Sequence, residues 1–337
     1  MTAPPVTVRK AVVVGAGSAG RRHMRNLRRL VPDIRITCWR MSETPADAEL
    51  ASCADEVVFD EAGAVAAEPD IAIAAGPATT REPTIRPFVT RGVPMLVEKP
   101  FAADVDTARR LRALCREQPA PMLVGYTLRF HPLLMRLRDE LRSGRIGNPI
   151  GMRVSVGQYL PHWRPGTDWR RSVTARRELG GGVLLDLSHE LDYLRWCLGE
   201  ATTVMALVRP APELGIDVDA YAEVVLEFES GAIGSAHLDL IQQPMTRECQ
   251  VIGERGSLAL DFVGGSLRAT AAAGGWQELM SVPDLDRNTL FLDELSHFLA
   301  CARGDDAPRI TADDGCRGVE IVEAARTASQ QRTAVRV

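Results

Sequence analysis

Three groups of residues in this chain have the types and spacing of working chemistry. Gly15, Gly17 and Gly20, in VVVGAGSAG, form a G-x-G-x-x-G set that ends an apolar run and opens a helical pattern. Lys99, in LVEKPF, stands directly before Pro100 at the end of another apolar run. Asp186, His189 and Asp192 follow three glycines in GGGVLLDLSHELDYLRWCLG, residues 180–199. The first group has the chemistry of a dinucleotide site. Gly15 permits a tight turn, Gly17 lets the backbone approach a pyrophosphate, and Gly20 lets helix and strand pack closely, with Ser18 and Ala19 at the helix N-terminus that faces the phosphates. A plain turn is the alternative, but a strand before and a helix after are the context that the motif demands.

Proline restrains the residue before it to an extended backbone, which sets where the Lys99 side chain points. Ligands of open α/β sheets bind at the carboxyl ends of the strands, so Lys99 is expected beside nicotinamide and substrate, with Glu98 holding its ammonium and Pro77 at the neighbouring strand end on the cofactor side. Residues three apart on a helix share a face, so Asp186 and His189 are expected to converge on one pocket opposite Lys99. A histidine near its usual pKa can exchange an alcohol proton as hydride moves, while a lysine stabilises the developing oxyanion. Gly180, Gly181 and Gly182 are expected to allow close backbone approach to cofactor or substrate. Taken singly, Lys99 reads as a surface charge and His189 as a hydrogen-bonded core residue; the glycine fingerprint changes that balance.

An acid about 20 residues beyond the glycines marks an NAD site, where it holds the ribose 2′-hydroxyl. Here CWRMSE places Arg40 at that position, with Glu43 three residues later. A guanidinium suits a 2′-phosphate, so the sequence favours NADP over NAD; a solvated arginine after a strand is the alternative.

These residues need a frame. Up to about residue 125 short apolar runs (KAVVVGAG, IRITCW, IAIAAGP, PMLVEKP, PAPMLVGYTLRF) alternate with helical patterns, which predicts βαβ units and a doubly wound parallel sheet. From about residue 149 strand-like runs follow one another through hairpin signals at Glu229-Ser230-Gly231 and Gly253-Glu254-Arg255-Gly256, which predicts a largely antiparallel sheet. The expected organisation is an α/β dinucleotide-binding domain over residues 1–125 and an α+β substrate and oligomerisation domain over 126–337, the latter including the helical patterns at 288–304 and 310–331.

At 337 residues the chain exceeds the size at which one core usually keeps growing, and 45% apolar with 25% charged residues is globular composition. A net charge of -4 without a basic block argues against nucleic acid, and no run reaches the apolar length of a membrane span. Seven scattered cysteines, never in a C-x-x-C pair, read as thiols of a cytoplasmic protein; neither they nor the six histidines show metal spacing.

The motifs GAGSAGRRH, VEKPF, GYTLRFHP, GGGVLLDLSHELDYLRW and DELSHFLACARGDDAPRITADDG together resemble the Gfo/Idh/MocA family of dinucleotide-dependent sugar and cyclitol oxidoreductases over nearly the whole chain. The resemblance implies a Rossmann domain, a C-terminal domain with an open sheet, and homodimers or homotetramers formed through that sheet. It also implies hydride transfer at a secondary alcohol or ketone, with the family's lysine matching Lys99 and its helix histidine matching His189. One spacing departs from the family: an aspartate commonly precedes the histidine by four residues, whereas Asp186 precedes His189 by three, which leaves open whether Asp186 or Asp192 assists it.

Substrate contacts are expected from Tyr126 and Arg129 in GYTLRFHP and from the loop at 159–179, where Trp163 and Trp169 suit a sugar ring or base. In the same loop Arg164, Arg170, Arg171, Arg176 and Arg177 suit a phosphate or carboxylate, as of an anionic sugar or a sugar nucleotide. Loop packing or a subunit contact is the alternative for the same residues. Two other functions stand beside the dehydrogenase: a redox-neutral glycoside hydrolase that keeps its NAD bound, and a dinucleotide sensor or corepressor without turnover. Retention of both Lys99 and His189 favours an enzyme over the sensor.

Overall fold

The computed structural model describes residues 7–41, 47–118, 120–163, 166–271 and 274–337. In chain order the elements begin with β1 (Lys10–Val14), α1 (Ser18–Leu30), β2 (Arg35–Trp39), α2 (Ala48–Cys53), β3 (Glu56–Val58), α3 (Glu61–Ala66), β4 (Ile71–Ala74), α4 (Arg81–Val89), β5 (Met95–Glu98), α5 (Val105–Glu117) and β6 (Met122–Gly125). There follow α6 (Pro132–Arg142), β7 (Pro149–Gly157), α7 (Val183–Asp186), α8 (His189–Leu198), β8 (Ala201–Pro210), β9 (Asp219–Phe228), β10 (Ile233–Asp239), β11 (Thr246–Gly253), β12 (Gly256–Asp261), β13 (Ser266–Ala271) and β14 (Gln277–Ser281). The chain closes with α9 (Arg287–Arg303), α10 (Ala312–Gln331) and β15 (Val335–Arg336). It divides into two compact units, the first made of the chain up to Thr127 together with Arg287–Val319, the second of Leu128–Asp286 with Glu320–Val337.

The first unit is built on a parallel sheet of order β3-β2-β1-β4-β5-β6. Its central strands are apolar at successive positions, Val12-Val13 in β1 and Ile71 to Ala74 in β4, because helices cover both faces. Strand order reverses between β1 and β4, the switch point at which such sheets bind ligands. Asp47, Asp60 and Asp104 cap α2, α3 and α5 by accepting the backbone N–H three residues on, which satisfies donors that the first helical turn leaves open.

The return of α9 to this unit corrects the expected division at residue 126, which assigned both C-terminal helical segments to the second domain. A seam along α9 explains it. Asn288 exchanges side-chain hydrogen bonds with Asn26 of α1 at 3.0 and 3.2 Å, Phe291 packs edge-on to His23 at 6.4 Å, and Glu294 one turn further is fully buried.

The second unit carries a sheet of order β14-β13-β12-β11-β7-β10-β9-β8-β15, antiparallel except for the parallel pair β7 and β10. Residues alternate across it as the pleat requires: in β9, Ala220, Ala222, Val224, Leu226 and Phe228 are buried while Glu223, Val225 and Glu227 are exposed. Helices α7 and α8 pack on β9, β7 and β10. Among the described residues no helix is long and apolar enough to cross a membrane.

Candidate functional site

The glycine loop joins β1 to α1 in the first unit. Gly15 has φ +98°, a left-handed backbone that only glycine adopts without strain, and it approaches Gly76 so closely that an added Cβ would meet the Gly76 backbone at 2.9 Å. Its N–H donates to the carbonyl of Trp39 at 2.9 Å, which brings the end of β2 and the following Arg40 beside the loop. A Cβ on Gly20 would collide with the Gly15 carbonyl oxygen, so Gly20 is demanded by packing within the protein. Gly17 is different. It is the N-cap of α1 in an ordinary extended conformation, and a Cβ there would have no heavy atom within 4 Å. No protein neighbour requires a glycine at that point, whereas a ligand pressed on the helix N-terminus would, and Ser18 and Ala19 open the helix beside it without an acid in the first turn. These residues fit a dinucleotide pyrophosphate.

Arg21 braces the same loop. Its Nε donates to the Ala16 carbonyl at 2.9 Å and its Nη atoms meet Asp47 at 2.7 Å and Glu49 at 2.8 Å. The hydrogen bonds from Arg21 and from the Leu50 N–H hold Asp47 well below the usual carboxylate range. Arg40 donates its own N–H to the Val58 carbonyl at 2.9 Å. Glu43, three residues later, lies outside the described residues. Pro77 caps a short 3-10 turn, Ala78–Thr80, directly beyond β4.

Lys99 follows the last residue of β5, and its peptide bond to Pro100 is cis. The Glu98 side chain accepts from His23 Nε2 at 2.8 Å, both groups being buried. Burial alone would raise the Glu98 carboxyl; the His23 hydrogen bond and the charges of His23, Lys99 and Arg81 outweigh it and hold the group below its ordinary range. Glu294 has the opposite balance: burial and then the Glu98 charge push it well above the ordinary carboxylate range, against a smaller effect of Thr127. The two buried carboxyls are therefore pushed in opposite directions, Glu98 toward its charged form and Glu294 toward its neutral one. The buried Arg81 guanidinium donates to the main-chain carbonyls of Ala74, Glu98 and Pro100 at 3.1, 2.9 and 3.3 Å.

In the second unit the expected single helix is two. α7 ends at Asp186, Leu187 and Ser188 break the ladder, and α8 begins at His189. Asp186 and His189 thus occupy the end of one helix and the start of another, which corrects their placement three apart on one helical face. Both are half-buried, and the Thr174 hydroxyl donates to the Asp186 carboxylate. The glycines before them also differ from expectation. A Cβ on Gly181 would strike the backbone carbonyls of Val173, Thr174 and Arg176, and Gly182, at φ +117°, lies against Asp219, which accepts from the Leu184 N–H at 3.0 Å. Their close approach is to the chain itself, where it seats α7 on β9.

Asp192 is buried and bonded bidentately by Arg129, whose guanidinium also lies 5.5 Å from the Trp196 ring. Beside it Glu190, fully buried, takes two bonds from Arg247 at 2.8 and 3.0 Å. Tyr126, in the first unit, is fully buried against Gly318. Trp163 donates its indole N–H to the Gln158 carbonyl at 3.1 Å, and Arg170 stacks over Trp169 at 4.4 Å on the exposed loop. Arg164 lies outside the described residues. The structure thus pairs Arg129 with Asp192 and sets Asp186 beside the start of α8, while Tyr126 and Trp163 are engaged by their own surroundings.

Arg21, Arg81, His23 and Glu294 were not singled out from the sequence, because each meets at least one partner 17 or more residues away: Asp47 for Arg21, and Glu98 for Arg81, His23 and Glu294. One compositional signal was available. Of the 40 lysines and arginines, only Lys10 and Lys99 are lysine, so the residue before Pro100 stands out in a chain that otherwise uses arginine for its cations.

Comparison with known proteins agrees with this geometry. A family model described as the oxidoreductase family with an NAD-binding Rossmann fold, GFO/IDH/MocA, matches residues 9–126, and one for the GFO/IDH/MocA C-terminal domain matches residues 134–259. A 1,5-anhydro-D-fructose reductase of Ensifer adhaerens is 29% identical over 73% of this chain and 74% of its own. A scyllo-inositol 2-dehydrogenase (NAD(+)) of Bacillus subtilis is 25% identical over 93% of this chain and 91% of its own. Among solved structures, levoglucosan dehydrogenase in complex with NADH and L-sorbose superposes with a TM-score of 0.86 at 16% identity, covering 98% of each chain, a likeness of fold.

Proposed function

The chain belongs to the Gfo/Idh/MocA family of NAD(P)-binding oxidoreductases, and from that premise we propose that it interconverts a secondary alcohol and a ketone on a sugar or cyclitol, with Lys99 and His189 as the catalytic residues. The observation that carries the reading is a division within the glycine loop: Gly15 and Gly20 are demanded by the protein, whereas Gly17 is open to a ligand, in the same unit whose β5 ends at Lys99. The relatives named for inositol and anhydrofructose chemistry support the substrate class.

The nicotinamide, when bound, supplies or accepts the hydride. The chain's own residues manage charge and protons. The Lys99 ammonium lowers the energy of negative charge on the substrate oxygen, and being a lysine it can do so as a compact point charge. His189 carries the proton of the alcohol, with Asp186 orienting it or the substrate hydroxyl. Arg40, next to the loop, reads a 2′-phosphate, which favours NADP. Arg170 and Trp169 on the exposed loop meet the outer part of the substrate.

Assembly is part of the proposal. Met205, Leu207, Val225 and Ile233, 39 to 55% exposed, lie on strands β8, β9 and β10 and form the apolar part of a face suited to a second copy of this chain. The seven cysteines are free thiols, which suits a cytoplasmic location.

The test is a panel of inositols, 1,5-anhydro-D-fructose and anhydrosugars assayed for change in nicotinamide absorbance with NAD and with NADP. Turnover on a polyol or its ketone is expected. Lys99→Met should lose about 10²-fold or more in kcat with cofactor affinity kept, and His189→Asn about 10²- to 10⁴-fold. Cleavage of a glycoside without net cofactor change would replace the dehydrogenase with the hydrolase, and a wild-type rate in either variant would remove that residue from catalysis.

A further inference from the structure

Within the first unit one buried side chain has no place in the chemistry above and yet bonds the backbone on both sides of its lysine. Arg81 opens α4, is 2% exposed, and spends its planar guanidinium on three main-chain carbonyls. Ala74 is the last residue of β4, Glu98 the last of β5, and these strands are parallel neighbours. The remaining acceptor, Pro100, lies beyond Lys99. The residue between the two gripped carbonyls, Glu98 and Pro100, is therefore Lys99 itself.

Burying a guanidinium is expensive unless its donors are used, and a planar fork with five N–H groups can span acceptors that a lysine or glutamine in the same place cannot. Burial brings the Arg81 guanidinium down to about 10, with the Glu98 charge opposing, so it remains a cation at neutral pH. The Glu98 side chain is pinned separately. Glu98 is held by His23, and Gly125 on β6 leaves room for it, since a Cβ there would lie 3.2 Å from both the Glu98 Cα and its Oε2. His23 and Gly125 act on residue 98; Arg81 reaches past Lys99 to residue 100 as well.

We propose that Arg81 is a positioning residue for Lys99, gripping the backbone on both sides of the lysine and so holding its ammonium where turnover needs it. The proposal rests on the catalytic role given above to Lys99. An arginine present only to satisfy strand-end carbonyls would contribute to stability alone; one that acts through Lys99 must lose its effect on turnover when Lys99 is absent.

Two measurements separate these. The scarcity of lysine makes the first possible: reductive ¹³C-methylation of the full, cofactor-free protein labels Lys10, Lys99 and the N-terminal amine, with Lys10 as an internal control. Arg81→Met is expected to shift or split the Lys99 resonance and leave that of Lys10 in place. The second is a double-mutant cycle on the panel substrate turned over fastest. Arg81→Met should lower kcat about 10²-fold, the scale of a 1 Å misplacement. In the Lys99→Met background the same change should add less than about threefold, as for two residues acting through one interaction. If Arg81→Met gives no cooperative melt, Arg81→Gln, which keeps a polar head with fewer donors and adds no amine to be labelled, goes through both measurements with the same expectations at smaller amplitude. An unmoved Lys99 resonance, or an equal loss of kcat in both backgrounds, overturns the proposal. A wild-type rate for Lys99→Met would instead remove the catalytic role of Lys99, and the resonance would still report whether Arg81 holds it.

Discussion

Arg129 and Asp192 form a buried, two-pronged ion pair, Nε to Oδ2 at 2.8 Å and Nη2 to Oδ1 at 2.6 Å, between the turn before α6 and the first turn of α8. Asp192 is thereby committed to a partner 63 residues away, while Asp186, half-buried, accepts from the Thr174 hydroxyl. The two aspartates that flank His189 have different partners. Asp192→Asn would leave a guanidinium buried and half-bonded, and should destabilise the fold by about 3–5 kcal/mol. Asp186→Asn should change stability by less than about 1 kcal/mol, the net worth of a hydrogen bond, and act instead on kcat/KM. Denaturant midpoints and steady-state kinetics on the two variants check this, and the reverse ranking would return the assisting role to Asp192.

The glycine loop yields a pair of opposite outcomes. Gly20→Ala forces a methyl into the Gly15 carbonyl and should destabilise by roughly 1–3 kcal/mol or more, the range of overpacked cores. Gly17→Ala has free space and a permitted backbone, so its stability should stay within about 0.5 kcal/mol of the parent. Its affinity for dinucleotide should nevertheless fall at least about tenfold, because the methyl stands where the phosphates would approach. Thermal melts and cofactor titration decide it; unchanged cofactor affinity in folded Gly17→Ala would place the pyrophosphate elsewhere.

Arg40 tests the choice between cofactors. If its guanidinium meets a 2′-phosphate, Arg40→Ser should weaken NADP by about 1.5–3 kcal/mol, the worth of a hydrogen bond to a charged group, and leave NAD nearly unchanged. Equal losses for both, read by titration of the apoprotein, would mean that Arg40 does not read the 2′-position.

Two histidines of the second unit should bend stability with pH in opposite senses. His237 lies between Asp239 and Glu223, at 2.9 and 2.7 Å, with Tyr221 edge-on and Arg209 over that tyrosine. The Asp239 hydrogen bond, opposed by burial and reinforced by Glu223, raises it from 6.5 to about 9. A raised histidine contributes fully below 6.5 and loses that contribution as pH climbs through about 9. His131 caps α6 through Nδ1, which accepts from the Leu133 N–H, and burial followed by the Arg247 charge lowers it to about 4. Its contribution is present above 6.5 and disappears as pH falls toward 4. His237→Gln should flatten the alkaline side of a stability–pH curve and His131→Asn, which keeps a capping side chain, the acidic side. Urea midpoints across this pH range check both, and a parent-like slope in either variant would refute the corresponding assignment.

Local pattern was enough for much of this protein. The continuous apolar runs of β1, β4, β5 and β6 predict strands buried on both faces, the alternation in β9 predicts one half-covered, and the glycine hairpins between β9 and β10 and between β11 and β12 predict their antiparallel pairing. Gly15, Gly17 and Gly20 and the Lys99-Pro100 step were legible because each is a short stretch whose backbone demands are set by its own residue types. What the sequence could not decide depended on groups far apart in the chain. Asp186, the favoured candidate, and Asp192 both stand three residues from His189, and the pairing of Asp192 with Arg129 is visible only in the structure. Gly181 and Gly182 suggested a ligand until the carbonyls of Val173, Thr174 and Arg176 and the side chain of Asp219 were found against them. The helix that carries His189 looked continuous, since Leu187 and Ser188 have no strong breaking tendency of their own; Gly182 and the bond from the Leu184 N–H to Asp219 anchor α7 separately from α8. Likewise α9 reads as one more amphipathic segment after the second sheet, and only its pairing of Asn288, Phe291 and Glu294 with the first unit assigns it there. Periodicity states which face of an element must be buried, but the partner that buries it is chosen by tertiary packing.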